Sequence, residues 1–134
     1  MYWLGKRRSY SVKIARPTTP AYNSAAMQKD VPLKTADLKI PEACGSMVEL
    51  RQAIDAVDAR LVALLAVRQA YIERAAELKT GRDQVRDPER IEEVVAKVIA
   101  EGRKAGLSAE IAEPVWRTLI EASIRHEFEA FDKR

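Results

Sequence analysis

From Val48 onward apolar residues return every three or four positions: Leu50, Ile54, Val57, Leu61, Leu64, Leu65, Tyr71, Ile72, Ala75 and Leu78. That spacing lines one side of a helix, so it predicts a single long amphipathic helix. Thirty-odd residues at 1.5 Å rise give about 45 to 50 Å, more than the diameter of a domain this small. Two short helices of the same chain cannot cover such a stripe, which makes a second chain its natural cover. Gly81 is expected to end this helix. Asp87 followed by Pro88 reads as an N-cap and first turn, and Ile91, Val94, Val95, Val98 and Ile99 mark the buried face of a second helix. Gly106 and Leu107 close it. Ser108 is the expected N-cap of a third helix, with Glu110 and Glu113 in its early turns and Ile111, Val115, Trp116, Leu119, Ile120 and Phe131 on its apolar side. No strand pattern, internal repeat or glycine-rich phosphate loop is found, so the expected fold class is all-α, three helices with the long one first.

Residues 1–45 break this pattern. They lack sustained periodicity and hold four of the six prolines, with turn-like stretches such as Pro17-Thr-Thr-Pro20. They read as a mostly disordered basic extension preceding a helical domain over 46–134. The opening MYWLGKRRSYSVKIAR has no apolar run long enough for a signal peptide or a membrane span, and Met27 and Met47 offer alternative starts.

Composition supports the helical reading: 47% of residues are hydrophobic, only 6% aromatic and only five are glycine. The net charge of +3 would suggest a nucleic-acid partner if it lay on the folded part. Residues 1–45 carry eight Lys or Arg against three acids, whereas 46–134 carry fifteen against seventeen. A slightly acidic domain is a poor footprint for a phosphate backbone, so no nucleic-acid partner is expected. The single Cys44 has no second Cys or His at metal-ligand spacing, which argues against zinc or redox chemistry and fits a reducing compartment such as the cytoplasm.

Charges that interrupt the apolar stripes are the candidate chemistry. Arg68 follows Leu64 by four and precedes Tyr71 by three, which puts a guanidinium on the packed face. Lys79 lies eleven residues on, close to three full turns, so it points the same way. Two such cations about 16 Å apart can converge on a small anion. The plain alternative is a salt-bridged Arg68 and a Lys79 that merely caps the helix end. Arg51 is about 25 Å before Arg68 on the same helix and cannot share that site within one chain. If two long helices pair antiparallel, Arg51 can enter the other chain's pocket; otherwise it is a solvated surface residue. On the third helix Ser123 and Glu127 are four apart, on the face of Trp116, Leu119 and Ile120, and can bind a ligand. Alternatively Ser123 bonds back to its own helix and Glu127 meets water, Arg125 or Lys133. His126, about 100° away on the wheel, is expected at the surface, and Trp116 in the core.

Taken together, Leu50-Arg51-Gln52-Ala53-Ile54-Asp55-Ala56-Val57-Asp58, Leu64-Leu65-Ala66-Val67-Arg68, Lys79, Val85-Arg86-Asp87-Pro88-Glu89-Arg90 and Leu119-Ile120-Glu121-Ala122-Ser123 resemble the helical chorismate mutases. The resemblance covers residues 46–134. It implies an intertwined homodimer of three-helix chains that converts chorismate, a small dicarboxylate, to prephenate without metal or other cofactor. It implies further that Arg68 and the other chain's Arg51 grip the carboxylates and that Lys79 donates to the ether oxygen. Asp87 and Arg90 would lie over the ring, Ser123 would meet the ring carboxylate, and Glu127 would stand where many members have a glutamine that also serves the ether oxygen. Many members have a glutamate where this chain has Ile91, a difference shared in kind with the related isochorismate pyruvate lyases; Ser123 and Glu127 look more mutase-like. The readings are therefore a mutase, a lyase or amino-chorismate mutase on the same fold, and a non-catalytic helical dimer or regulatory module.

Overall fold

The structure, a computed structural model, describes residues 38–134. The disorder expected over residues 1–45 thus concerns, for 1–37, positions outside the described residues. The described part is all-helical: a 3-10 turn η1 (Pro41–Ala43), α1 (Met47–Leu78), a 3-10 turn η2 (Arg82–Gln84), α2 (Pro88–Ala105) and α3 (Ala109–Asp132). Within the segment expected to be disordered, residues 41–43 therefore form a turn.

Local chemistry sets most of the boundaries. Ser46 Oγ accepts the Glu49 N–H at 3.2 Å, and the Glu49 carboxylate reaches back to the Gly45 N–H at 2.7 Å, which satisfies orphan donors at the start of α1. Asp87 Oδ1 accepts the Arg90 N–H at 3.0 Å ahead of Pro88. Gly106 takes φ 80°, a left-handed turn that glycine adopts without strain, and Leu107 N–H returns to the Gly102 carbonyl at 2.7 Å. Ser108 Oγ accepts the Glu110 N–H at 3.2 Å at the start of α3.

Gly81 does not end α1. The helix stops at Leu78, Lys79 is already extended at φ −69° and ψ 137°, and Gly81 at φ −134° lies in backbone space open to any residue. Two side chains hold this end instead. Gln84 Oε1 accepts the N–H groups of Thr80 at 2.9 Å and Gly81 at 3.3 Å, and Arg134 donates to carbonyls of the last turn.

α3 is the shared partner, packing on α1 and on α2. Arg68 meets Ser123, Glu73 meets His126 and Lys79 meets Glu127, so α1 and α3 run parallel. Glu92 meets Arg117 and Arg86 meets Glu121, so α2 runs against them. Val85, Val95, Ile120 and Ile124 form the buried cluster, with Ile91, Val94, Ile99, Trp116, Phe128 and Phe131 against it. Trp116 thus packs on the core as expected.

α1 contributes only Ala76 to the buried residues. At 32 residues it spans about 48 Å against about 36 Å for the 24-residue α3. Ile54, Leu61, Leu64 and Leu65 of its apolar stripe stay at least two-fifths exposed, and Tyr71 is 73% exposed. The chain's own helices leave the predicted stripe open. No helix among the described residues is long and apolar enough to cross a membrane.

Candidate functional site

A cavity of about 350 Å³ opens where the second half of α1, the start of α2 and the second half of α3 come together. That is the size of a small-molecule site. Arg68, Lys79, Asp87, Arg90, Ser123 and Glu127 all line it, over an apolar wall that includes Ile72, Val85, Ile91, Val94, Ile120 and Ile124. Every candidate residue but one is therefore gathered at a single place. The exception is Arg51, exposed on α1 and absent from this lining.

The helical period explains the convergence. Arg68, Ile72, Ala75 and Lys79 recur at four, three and four along α1, and Ile120, Ser123, Ile124 and Glu127 at three, one and three along α3. Because the two helices run parallel, equivalent turns face each other down the cavity.

Arg68 Nη1 donates to Ser123 Oγ at 2.6 Å, and Ser123 Oγ donates to the Leu119 carbonyl at 2.7 Å. Ser123 bonds back to its own helix, as one of the two options had it, and it also lines the cavity. Loss of water around Arg68 lowers its pKa from the ordinary value, yet a guanidinium stays charged at any physiological pH.

Lys79 Nζ donates to Glu127 Oε1 as an ion pair. Glu127 is only 4% exposed. Its partner is thus a cation on another helix, not the local Arg125 or Lys133 or water. Lys79 is the C-cap residue of α1, so its expected capping place and its place in the cavity coincide.

Asp87 caps α2 through one carboxylate oxygen, which fixes it at the mouth. Arg90 donates to Glu93 at 2.7 Å. Glu93 also receives Lys97, and the two hydrogen bonds, Lys97 first, hold its carboxyl down to about 2. Gln84 also lines the cavity; it sits in η2, where no helical period announces it.

Behind the Arg68–Ser123 bond lies a second, more open cavity of about 470 Å³ with Val62, Leu65, Ala66, Leu119 and His126 among its walls. His126 is not simply a surface residue: its Nε2 lies 2.7 Å from Glu73 Oε1 and ties α3 to α1.

Comparison with known proteins points to one family. The sequence model of the family described as chorismate mutase type II matches residues 50–128. Among curated proteins, an isochorismate pyruvate lyase of Pseudomonas aeruginosa is 28% identical over 83 residues, 62% of this chain and 82% of the relative.

Proposed function

The chain belongs to the chorismate mutase type II family, and from that premise we propose that it is a chorismate mutase, rearranging chorismate to prephenate on the route to aromatic amino acids. The observation that carries this reading is the convergence of Arg68, Lys79 and Arg90 with Ser123 and Glu127 on one small cavity.

The reaction explains the residue types. A pericyclic rearrangement needs no nucleophile or redox group; it needs a flexible substrate folded into a compact conformer and negative charge stabilised on one oxygen. Arg68 and Ser123 bind a carboxylate, and the apolar wall packs the ring. Lys79 Nζ donates to the ether oxygen as the C–O bond lengthens. Glu127, when protonated, adds a second donor to that oxygen. Asp87 and Arg90 close over the ring.

Three cations line the cavity against Asp87 and a Glu127 that is neutral in the proposed step, so the lining matches a substrate that carries two negative charges. Arg51 of a second copy adds a further cation if two α1 helices pair antiparallel along their open apolar stripes. The functional unit is then an intertwined homodimer with Arg51 acting in trans, working in the cytoplasm.

A second reading is favoured by one observation: the similar Pseudomonas protein is named an isochorismate pyruvate lyase. Ile91 in the cavity wall, where many mutases have a glutamate, points the same way. An amino-substituted chorismate is the third substrate on this fold. Incubating the purified protein with chorismate and isochorismate separately, and identifying the products, decides between the first two. Prephenate from chorismate upholds the mutase, salicylate and pyruvate from isochorismate replace it with the lyase, and turnover of neither leaves the amino-substituted substrate or the non-catalytic module.

A further inference from the structure

The last turn of α1 has no glycine cap, and its orphan carbonyls are met from the far end of the chain. Arg134 Nη1 donates to the carbonyls of Ala76 at 3.1 Å, Glu77 at 3.5 Å and Lys79 at 2.5 Å. These are among the carbonyls that a helix leaves without internal partners. The guanidinium lies 3.5 Å from the centroid of the Phe131 ring, which backs it and limits its swing. Beside it Arg82 donates to both carboxylate oxygens of Asp132, at 3.0 and 3.4 Å, and lies over the Phe128 ring. The turn carrying Lys79 is gripped on both sides by the stretch 128–134.

We propose that Arg134 is a positioning residue for Lys79, holding its backbone so that the ammonium stays aimed into the cavity; this rests on the role given to Lys79 above. The side chain and the carbonyl of Lys79 are tied to neighbouring places, the first through Glu127 near the end of α3 and the second through Arg134 just past it. Lys79 is the first residue past the helix, so fraying of the last turn displaces it before any other cavity residue. A cation here also complements the negative end of the α1 dipole. Among the described residues Arg134 is the side chain that donates to the Lys79 carbonyl.

The test compares the parent chain with Arg134→Ala and Arg134→Lys in two assays. One is steady-state turnover; the other is the rate at which each lysine is acylated, read by peptide mass. Displacement of a reacting group by about an ångström costs up to a hundred-fold in rate, so Arg134→Ala is expected to lose about ten-fold or more in kcat. KM is expected to stay within about two-fold, since the carboxylate-binding groups remain. Lys79 acylates several-fold faster while Lys97 and Lys104 do not change. Arg134→Lys recovers part of both effects, because an ammonium reaches a carbonyl but cannot span three while lying on the ring. A folded Arg134→Ala with unchanged kcat and unchanged Lys79 reactivity overturns the inference. If Arg134→Ala does not fold, Arg134→Lys decides by the same two readouts, and parental values in it overturn the inference. If the parent turns over neither chorismate nor isochorismate, the proposed function falls; Lys79 labelling then decides the clamp alone, faster labelling upholding it and an unchanged rate overturning it.

Discussion

Lys79 at the end of α1 and Glu127 on α3, 48 positions apart, meet as an ion pair inside the cavity. In the proposed reaction both serve one oxygen, but Glu127 can donate only when it carries a proton, and its ionised form opposes the charge growing there. Mutase turnover is therefore expected to be higher in acid than at neutral pH. Glu127→Gln supplies a permanent donor of nearly the same shape, so its rate is expected to be flat over that range and at least parental at neutral pH. Rate–pH profiles of the two proteins check this. A parental profile flat from acid to neutral pH, or a folded Gln variant inactive throughout, removes Glu127 from the ether oxygen.

Arg68→Ala separates catalysis from stability. Ser123 keeps its bond to the Leu119 carbonyl when Arg68 is removed, and the loss of a partly desolvated cation lifts a cost of folding. Stability is expected to stay within about 1 kcal/mol of the parent. Turnover is expected to fall by about a hundred-fold or more, the scale of losing one preorganised charged donor. Urea unfolding and steady-state kinetics on the same preparation measure both; full activity in the variant would leave a binding module as the better reading.

What was legible in the sequence follows the range of the interactions. Asp87, Gly106 and Ser108 act on backbone groups within five residues, and each marks its helix end as read; Ser46 caps α1 by the same local chemistry without having been read. The face shared by Arg68 and Lys79 follows from the helical period alone. Gly81 misled because a glycine after an apolar run usually takes the left-handed cap, whereas here the capping group is Arg134, 55 positions beyond Lys79. The same distance hid the partner of Glu127: local spacing offers Arg125 and Lys133, and only the parallel packing of α1 on α3 brings Lys79 to it. Gln84 was illegible because a 3-10 turn has no periodic face.

The shared site is tested by complementation. Arg51 is exposed and outside the cavity of its own chain, so Arg51→Ala and Arg68→Ala are each expected to be nearly inactive alone. Mixed and reassembled, they are expected to yield heterodimers with up to one intact site. Activity per verified heterodimer of up to about half the parental value is the outcome expected of closed two-fold symmetry. No recovery in heterodimers confirmed by mass would count against Arg51 acting in trans.

His126 gives a pH signature away from the cavity. Its hydrogen bond is the main cause holding the Glu73 carboxyl below the usual carboxylate range, burial opposing and Gln69 assisting. A carboxyl depressed on folding stabilises the protein above its unfolded pKa, and the contribution is lost as pH falls through the folded value. The side chains of His126 and Glu73 are 40% and 34% exposed, so screening limits the effect to about 0.5 kcal/mol. Parent and Glu73→Gln are expected to differ by that much in urea at neutral pH and to converge in acid. A gap that persists unchanged at low pH would assign it to packing.

The open stripe on α1 reaches beyond the site to the way the protein folds. The buried apolar side chains of the described residues are Ala76, Val85, Val95, Ala112, Ile120 and Ile124, a set with two alanines and no aromatic ring. A core that small offsets little chain entropy, and in the proposed dimer the large apolar side chains of α1 count toward stability only once the second chain covers them. Folding of that dimer is a bimolecular reaction in which dilution acts as a denaturant: the melting temperature is expected to rise with protein concentration, and activity to fade at low concentration before any single chain has been damaged.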